Sequence, residues 1–130
     1  MTRLTKGAKE TFGWVVIGKE RGVIIPEKAW IRYDFKAGDE AIFIPGSHSS
    51  GGFGLTTITL LEGLKYSYSK DKILGWSRFS NNRWVHIPES VIVNPGDRLL
   101  TVFGSRFALA FIQKGKIFYE ATKHSELDEF

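Results

Sequence analysis

An internal repeat constrains this chain more than any single motif, because a repeat decides the whole architecture. The segment Arg21-Gly-Val-Ile-Ile-Pro-Glu27 returns 62 positions later as Arg83-Trp-Val-His-Ile-Pro-Glu89. Trp14 and Trp76 share this offset. The two halves of the chain are therefore expected to fold alike.

The repeat continues beyond these segments with shorter offsets. Gly38-Asp39 and Gly96-Asp97, each followed by an apolar run, are 58 positions apart. The second copy has therefore lost about one helical turn between its proline and its Gly-Asp pair. Phe53 and Phe107 then match at an offset of 54, which assigns four extra residues to the loop that contains Gly46 to Gly52.

Each copy predicts the same order of elements. β-rich residues precede Pro26 and Pro88, and proline ends a strand because it cannot donate to a ladder. Proline followed by glutamate suits the first turn of a helix, and the Gly-Asp pair is typical of a turn. Short helices are also expected after each hairpin, over 59–64 and 116–123. The predicted fold class is mainly β with short helices.

The second hairpin is predicted to run from Leu99 to Phe103, turn at Gly104-Ser105 and return from Phe107 to Ile112. Glycine in the first position of a two-residue connection favours a type II′ turn. Both faces of these strands are apolar, so the hairpin needs a partner to cover it. We expect the first copy to be that partner, giving a single domain over 1–130 made of two repeats, about 12–66 and 75–123.

The ordered set of strand, Ile-Pro-Glu, short helix, Gly-Asp and apolar hairpin resembles the AbrB/SpoVT family. Pro26 and Gly38 are twelve positions apart, which is the family spacing, and the second copy keeps Ile87-Pro88-Glu89 and Pro95-Gly96-Asp97. Members of that family dimerise by interleaving hairpins into a swapped-hairpin barrel. The resemblance implies the same β-barrel here as an intramolecular pseudo-dimer, either monomeric or assembled into a homo-oligomer.

The resemblance also implies a transcriptional regulator or antitoxin that binds double-stranded DNA, with a toxin or another protein as a further partner. The family arginine lies four positions before the proline, where this chain has Gly22 and Trp84, and arginines stand one position earlier. Taken singly, each cation of this region is also explained as a solvated surface charge. The candidate DNA-binding residues are Arg21, Arg83, Lys19, Arg78, Arg32, Lys28 and Arg3.

Charge and composition narrow the function classes. The formal net charge is +4, and residues 120–130 carry a local balance of −3, so a basic body precedes an acidic tail. A basic body is compatible with nucleic acid, because phosphate contacts release counterions. A mixed-charge solvated surface explains the same numbers.

Enzyme and cofactor functions are not expected. The chain has no cysteine, which excludes disulfides and thiolate metal sites, and its three histidines follow no ligand spacing. The Gly46 to Gly52 loop lacks the Gly-Lys-Ser/Thr end of a phosphate loop. No apolar run is long enough for a membrane span, and the first ten residues have no signal-peptide character. A cytoplasmic protein with no membrane association is therefore expected.

The aromatic residues leave one alternative open. Most of them are expected in the core, in particular Trp14, Trp76, Phe103, Phe107 and Phe111. Trp84 stands beside Arg83 and is the exception. A barrel that has kept the fold without the DNA-binding arginines would instead serve as a protein-interaction or small-ligand module.

Overall fold

The computed structural model describes residues 2–3, 10–46, 52–62, 72–123 and 127–130, with the main chain alone for Thr2, Arg3, Lys116 and Ile117. The strands are β1 (Thr2–Arg3), β2 (Glu10–Val16), β3 (Gly22–Ile24), β4 (Glu40–Pro45), β5 (Phe53–Thr56), β6 (Gly75–Arg78), β7 (Trp84–His86), β8 (Arg98–Ser105) and β9 (Ala108–Ile112). The helices are α1 (Glu27–Arg32), α2 (Ile58–Glu62) and α3 (Lys116–Ala121), and a 3₁₀ turn covers Asn81–Arg83.

Strands of the two repeats are interleaved within one antiparallel sheet. Its order is β1-β2-β8-β9-β5-β4-β6, and β3 and β7 form a separate two-stranded ribbon. The first strand of each repeat pairs with the hairpin of the other repeat, β2 with β8 and β6 with β4. The counterparts are β2 and β6, β8 and β4, and β9 and β5. The order from β2 inwards is therefore the same as the order from β6 inwards when each strand is replaced by its counterpart.

The register of the ladders follows the offsets in the sequence. Trp14 lies opposite Leu100, and Trp76 lies opposite Ile42, so these pairs keep the offsets of 62 and 58. In the ribbon, Val23 lies opposite its own counterpart Val85. Because a slip of one residue would turn every side chain to the other face, the matched register keeps the same faces buried in both repeats.

The predicted turn at Gly104-Ser105 is wrong. β8 continues through these residues, Ser105 pairs with Ala108 after a register shift, and the turn lies at Arg106 and Phe107. Ser105 Oγ accepts a hydrogen bond from the Phe107 N–H at 3.1 Å. Contacts from distant elements hold this turn, which is why glycine alone did not locate it.

The predicted offset of 54 for the last strand is also wrong. Pro45 lies opposite Phe53 in the first hairpin, and its counterpart Phe103 lies opposite Leu109 in the second. Phe53 therefore corresponds to Leu109, an offset of 56, and the first loop is longer by two residues. A difference of two residues leaves the side chains on the same face of the sheet, so the apolar pattern alone did not reveal it.

The short helices predicted after Pro26 and after the two hairpins form, but the helix predicted after Pro88 is wrong. α1 begins directly after Pro26, and α2 and α3 follow the two hairpins. After Pro88 the chain makes a turn at Glu89 and Ser90 and forms no helix before β8. The shortened second repeat has thus lost α1 altogether.

Residues of both repeats share the main core. The cluster contains Val23 and Val85 from the ribbon, and Leu55 and Leu109 from the paired strands β5 and β9. All four are at most 1% exposed. A second cluster around Trp14 is covered by Phe118 of α3 and by Leu127. Trp14 and Phe111 are buried as predicted, but Trp76 is 52% exposed, and Phe103 and Phe107 are only partly buried.

On the ribbon, the indole of Trp84 fills the space that a side chain on its counterpart Gly22 would occupy. A Cβ atom on Gly22 would lie 2.1 Å from Cζ2 of Trp84, and its two next neighbours are indole atoms too. Gly22 pairs with His86 and Trp84 with Ile24, so the indole crosses the ribbon diagonally. Glycine is needed here because the tryptophan of the other repeat fills the position.

We therefore predict that Gly22→Ala lowers the free energy of unfolding by about 1–3 kcal/mol through overpacking against the indole. The loss should shrink in a Trp84→Ala background, as a double-mutant cycle by urea denaturation will measure. Gly18→Ala is the matched control, since a Cβ there meets only the Gly22 carbonyl oxygen at 3.5 Å. Equal losses in both backgrounds would contradict the shared-space account.

Tyr33 anchors the β8–β9 turn from the far end of α1. Its hydroxyl lies 2.8 Å from the carbonyl oxygens of both Ser105 and Ala108. Burial raises the pKa of Tyr33 above its usual value, although the Arg32 charge acts in the opposite direction. The folded protein therefore holds the neutral phenol.

The stability from this neutral phenol should be fully present below about pH 10, the ordinary tyrosine pKa, and be lost as the pH rises further. We predict a steeper fall of the unfolding free energy above about pH 10 for the wild type than for Tyr33→Phe, measured by urea denaturation. Parallel curves for the two proteins would show that Tyr33 does not control the alkaline limit.

Candidate nucleic-acid interface

Arg21 and Arg83 make the same contact across the repeats. Each has a positive φ, 59° and 63°, in the turn that precedes the ribbon. The Arg21 carbonyl accepts from the Ile87 N–H, and the Arg83 carbonyl accepts from the Ile25 N–H, both at 2.8 Å. Each Nε in turn donates to the carbonyl of the same isoleucine, at 3.4 and 2.9 Å. Both arginines thus fasten the end of the strand in the other repeat.

The rest of the Arg21 guanidinium is used inside the protein. Nη1 donates to the Val93 carbonyl at 2.7 Å, and Nη2 donates to the carbonyls of Pro88 and Val91 at 2.7 and 2.8 Å. The side chain is 17% exposed and also lies near Glu89. No helix follows Pro88. There the carbonyls of Pro88 and Val91 accept from the N–H groups of Val91 and Val93, and the Arg21 guanidinium is their second donor.

Arg83 differs from Arg21 in the use of its Nη atoms. In the first repeat α1 is present, and the carbonyls of Pro26 and Ala29 accept from the N–H groups of Trp30 and Tyr33. Arg83 therefore makes the single hydrogen bond from Nε, and its Nη atoms have no protein partner among the described residues. A guanidinium with free Nη atoms is suited to bidentate binding of a phosphate.

An open groove, here called the α1 groove, lies beside this arginine. Trp30 stands in it, held by edge contacts with Phe35 and Phe79 at 6.1 and 5.2 Å between ring centroids. The exposed Asn81 and Asn82 form the opposite side. The lining residues are Glu27, Trp30, Ile31, Ala37, Ser80, Asn81, Asn82 and Arg83.

The other candidate cations are distributed around the molecule. Lys28 is exposed on α1 directly after Glu27, and Lys19 is exposed in the counterpart turn. Arg78 donates to the Gly38 carbonyl at 2.5 Å. Arg32 lies 3.6 Å from Glu10 and 4.5 Å above the Phe103 ring. Arg3 is in β1, and its side chain lies outside the described residues. Of these candidates, Arg83 lines the α1 groove, and Lys28 lies on the helix that borders it, next to the lining residue Glu27.

Sequence reasoning missed the asparagines of the α1 groove. Asn82 has a φ of 66°, a left-handed conformation that asparagine tolerates better than most residues. The Ser80-Asn81-Asn82 run was therefore readable as a turn. Its position against α1 was not, because that position depends on residues about fifty positions away in the chain.

The described body of the protein is balanced in charge. Residues with described side chains include twelve Lys and Arg and twelve Asp and Glu. The net +4 comes from the remaining positions, which hold six basic residues, among them Arg3, Lys6 and Lys9, and two acidic ones. Any attraction of the body itself for phosphates must therefore be local.

Comparison with known proteins found no matching family model, no matching curated protein and no matching solved structure. Over the described ranges, no helix is long and apolar enough to cross a membrane. Nor do His, Asp or Glu side chains in those ranges gather in a group of three that could hold a metal ion.

The two arginines should differ strongly in their effect on stability. We predict that Arg21→Ala lowers the unfolding free energy by about 2–4 kcal/mol, because part-buried carbonyls lose a charged donor. Arg83→Ala loses one such bond and should cost about 1–2 kcal/mol. Thermal and urea unfolding will compare the stabilities of the variants. Equal losses would contradict the larger structural role that its additional hydrogen bonds give Arg21.

Proposed function

We propose that this chain is a DNA-binding regulator or antitoxin of AbrB/SpoVT type, in which two repeats form a swapped-hairpin barrel as an intramolecular pseudo-dimer. The exchange of strands supports this architecture, since β2 and β6 each pair with the hairpin of the other repeat. The absence of cysteine suits a reducing, cytoplasmic compartment.

One observation carries the proposed binding of DNA, namely the Nη atoms of Arg83, which have no partner in the described part of the chain and lie beside the α1 groove. The guanidinium can bind a backbone phosphate there, with Lys28 as a second cation and Asn81 and Asn82 as neutral donors. Contacts of this kind fix the position of a duplex and give affinity without sequence preference. The basic residues Arg3, Lys6 and Lys9 would add attraction.

The counterpart of this face is poorer in groups that bind phosphate. Lys28, Asn81, Asn82 and Arg83 correspond to Ser90, Lys19, Glu20 and Arg21. The counterpart therefore exchanges one lysine position for another, gains an acid, and has an arginine whose guanidinium is engaged. We therefore propose that one face of the pseudo-dimer contacts DNA. A symmetric protein reads inverted half-sites, but a one-sided protein does not need a palindromic target.

We predict that the wild type binds a fluorescent random duplex in an anisotropy assay, and that binding weakens steeply with salt. The double variant Arg83→Asn/Lys28→Gln should make the slope of log Kobs against log salt shallower by about 1.8, the value for two lost phosphate contacts. Asparagine is chosen because it accepts the positive φ at this position.

Lys72→Gln/Lys114→Gln is the matched control, since it removes the same charge from two exposed lysines outside the groove. Its salt slope should stay close to that of the wild type. Absence of binding at about 50 mM salt, or equal changes of slope in the two double variants, would refute the proposal. Melting temperatures of all variants verify that each is folded.

The second candidate function is a protein-interaction module that does not bind DNA. The balanced charge of the described body and the engaged Arg21 favour it. A protein that fails the anisotropy test would be assigned to this class.

A further inference from the structure

At one end of the large sheet, β1 pairs only with Glu10 and Thr11 of β2. The rest of the β2 edge differs from the opposite edge, β6, in what covers its main chain. On β2, the Trp14 N–H donates to the Asp128 carbonyl at 2.8 Å, and the Trp14 carbonyl accepts from the Phe130 N–H at 2.7 Å. The Val16 N–H donates to the Phe130 carbonyl at 3.2 Å. Residues 127–130 thus lie along β2 in the parallel direction, with Glu129 beside Trp14. A short extended segment with two acidic residues covers this edge through an isolated bridge.

β6 is the opposite edge, and its main chain presents the same groups. Phe79 exchanges hydrogen bonds with Asp39 and Gly38, as its counterpart Ile17 does with Asp97 and Gly96. Since N–H and C=O groups alternate in direction along a strand, those of Trp76 and Arg78 point away from β4. In the described part of the chain these outward groups have no hydrogen-bond partner.

The side chains at the two edges show the same contrast. Trp14 is 1% exposed, because Phe118 packs edge-on against it at 5.2 Å and the Arg98 guanidinium lies 4.0 Å above its ring. Trp76 stands at the equivalent register position and is 52% exposed. An exposed edge strand with unpaired main-chain groups is a ready template for another strand.

We propose that β6 binds an extended acidic segment of a partner protein, which adds to the sheet in parallel beside Trp76. The chain itself displays this kind of strand on the counterpart edge, Leu127-Asp128-Glu129-Phe130. On the β2 edge, Arg98 binds Glu129 at 3.0 Å, and its counterpart beside β6 is Glu40. The cation that can bind an acidic partner at β6 is instead Arg78, which is exposed opposite Glu40, where β2 has the uncharged Val16. Main-chain bonds give affinity in such an addition, while the side chains select the sequence.

The test uses the full chain and a labelled peptide, Ser-Glu-Leu-Asp-Glu-Phe, which copies residues 125–130. We expect saturable binding at or below about 1 mM by fluorescence anisotropy. In amide and indole NMR spectra, the peptide should shift the signals of Trp76 and Arg78 and leave those of Trp14 unchanged. A peptide in which lysine replaces each acid is the control and should not bind.

Two variants separate edge binding from a loss of folding. Arg78→Glu should weaken peptide binding at least tenfold by charge reversal, and Trp76→Ser should weaken it by removing the apolar contact. Lys114→Glu is the matched control, because it reverses an exposed charge away from β6. Melting temperatures show which variants are folded. Peptide binding by either Arg78→Glu or Trp76→Ser, if that variant is folded, is sufficient for the test.

Three results would overturn the proposal. They are the absence of peptide binding, shifts at Trp14 and residues 128–130 that show displacement of the chain's own strand, and dimerisation that depends on Trp76, which would make a second copy the occupant of β6. The proposal is independent of DNA binding, since none of the groove residues takes part.

Discussion

Exchange of strands between the repeats is the constraint on which the rest of the structure depends. The first strand of each repeat is hydrogen-bonded to the hairpin of the other, and the ribbon joins one strand of each. Neither repeat therefore has a complete sheet of its own, and the apolar hairpins are covered only when both repeats are present. Folding should accordingly be cooperative across the chain, because removal of one repeat exposes the core of the other.

This shared framework allows equivalent residues to diverge in use. Arg21 and Arg83 begin alike, with the same strained turn and the same main-chain partner across the repeats. After Pro88, where no helix forms, the Arg21 guanidinium donates to the carbonyls of Pro88, Val91 and Val93. Beside α1, the Arg83 side chain donates from Nε alone within the described part of the chain. Equivalent positions of the two repeats thus hold one guanidinium that is fully engaged within the protein and one that is engaged through Nε alone among the described residues.

Local sequence explained the elements, and distance in the chain explains what it missed. The proline, glutamate and Gly-Asp pattern located α1 and the strands, and the offsets of 62 and 58 reappear in the ladders. The turn at Arg106 and Phe107 was missed because Tyr33, more than seventy positions away, fixes the carbonyls on either side of it. The engagement of Arg21 likewise depends on segment 88–93. The contrast between buried Trp14 and exposed Trp76 depends on segment 127–130, which covers Trp14 alone of the two. A local pattern specifies neither contact.

Gly22 and Trp84 show what a tandem arrangement permits. They are counterparts in the repeat, yet they occupy one space, which a single indole fills. Two identical half-length chains would bring either two tryptophans into that space or two glycines that leave it empty. Complementary side chains of this kind require both copies in one chain, so a half-length chain that dimerised with itself could not rebuild this ribbon.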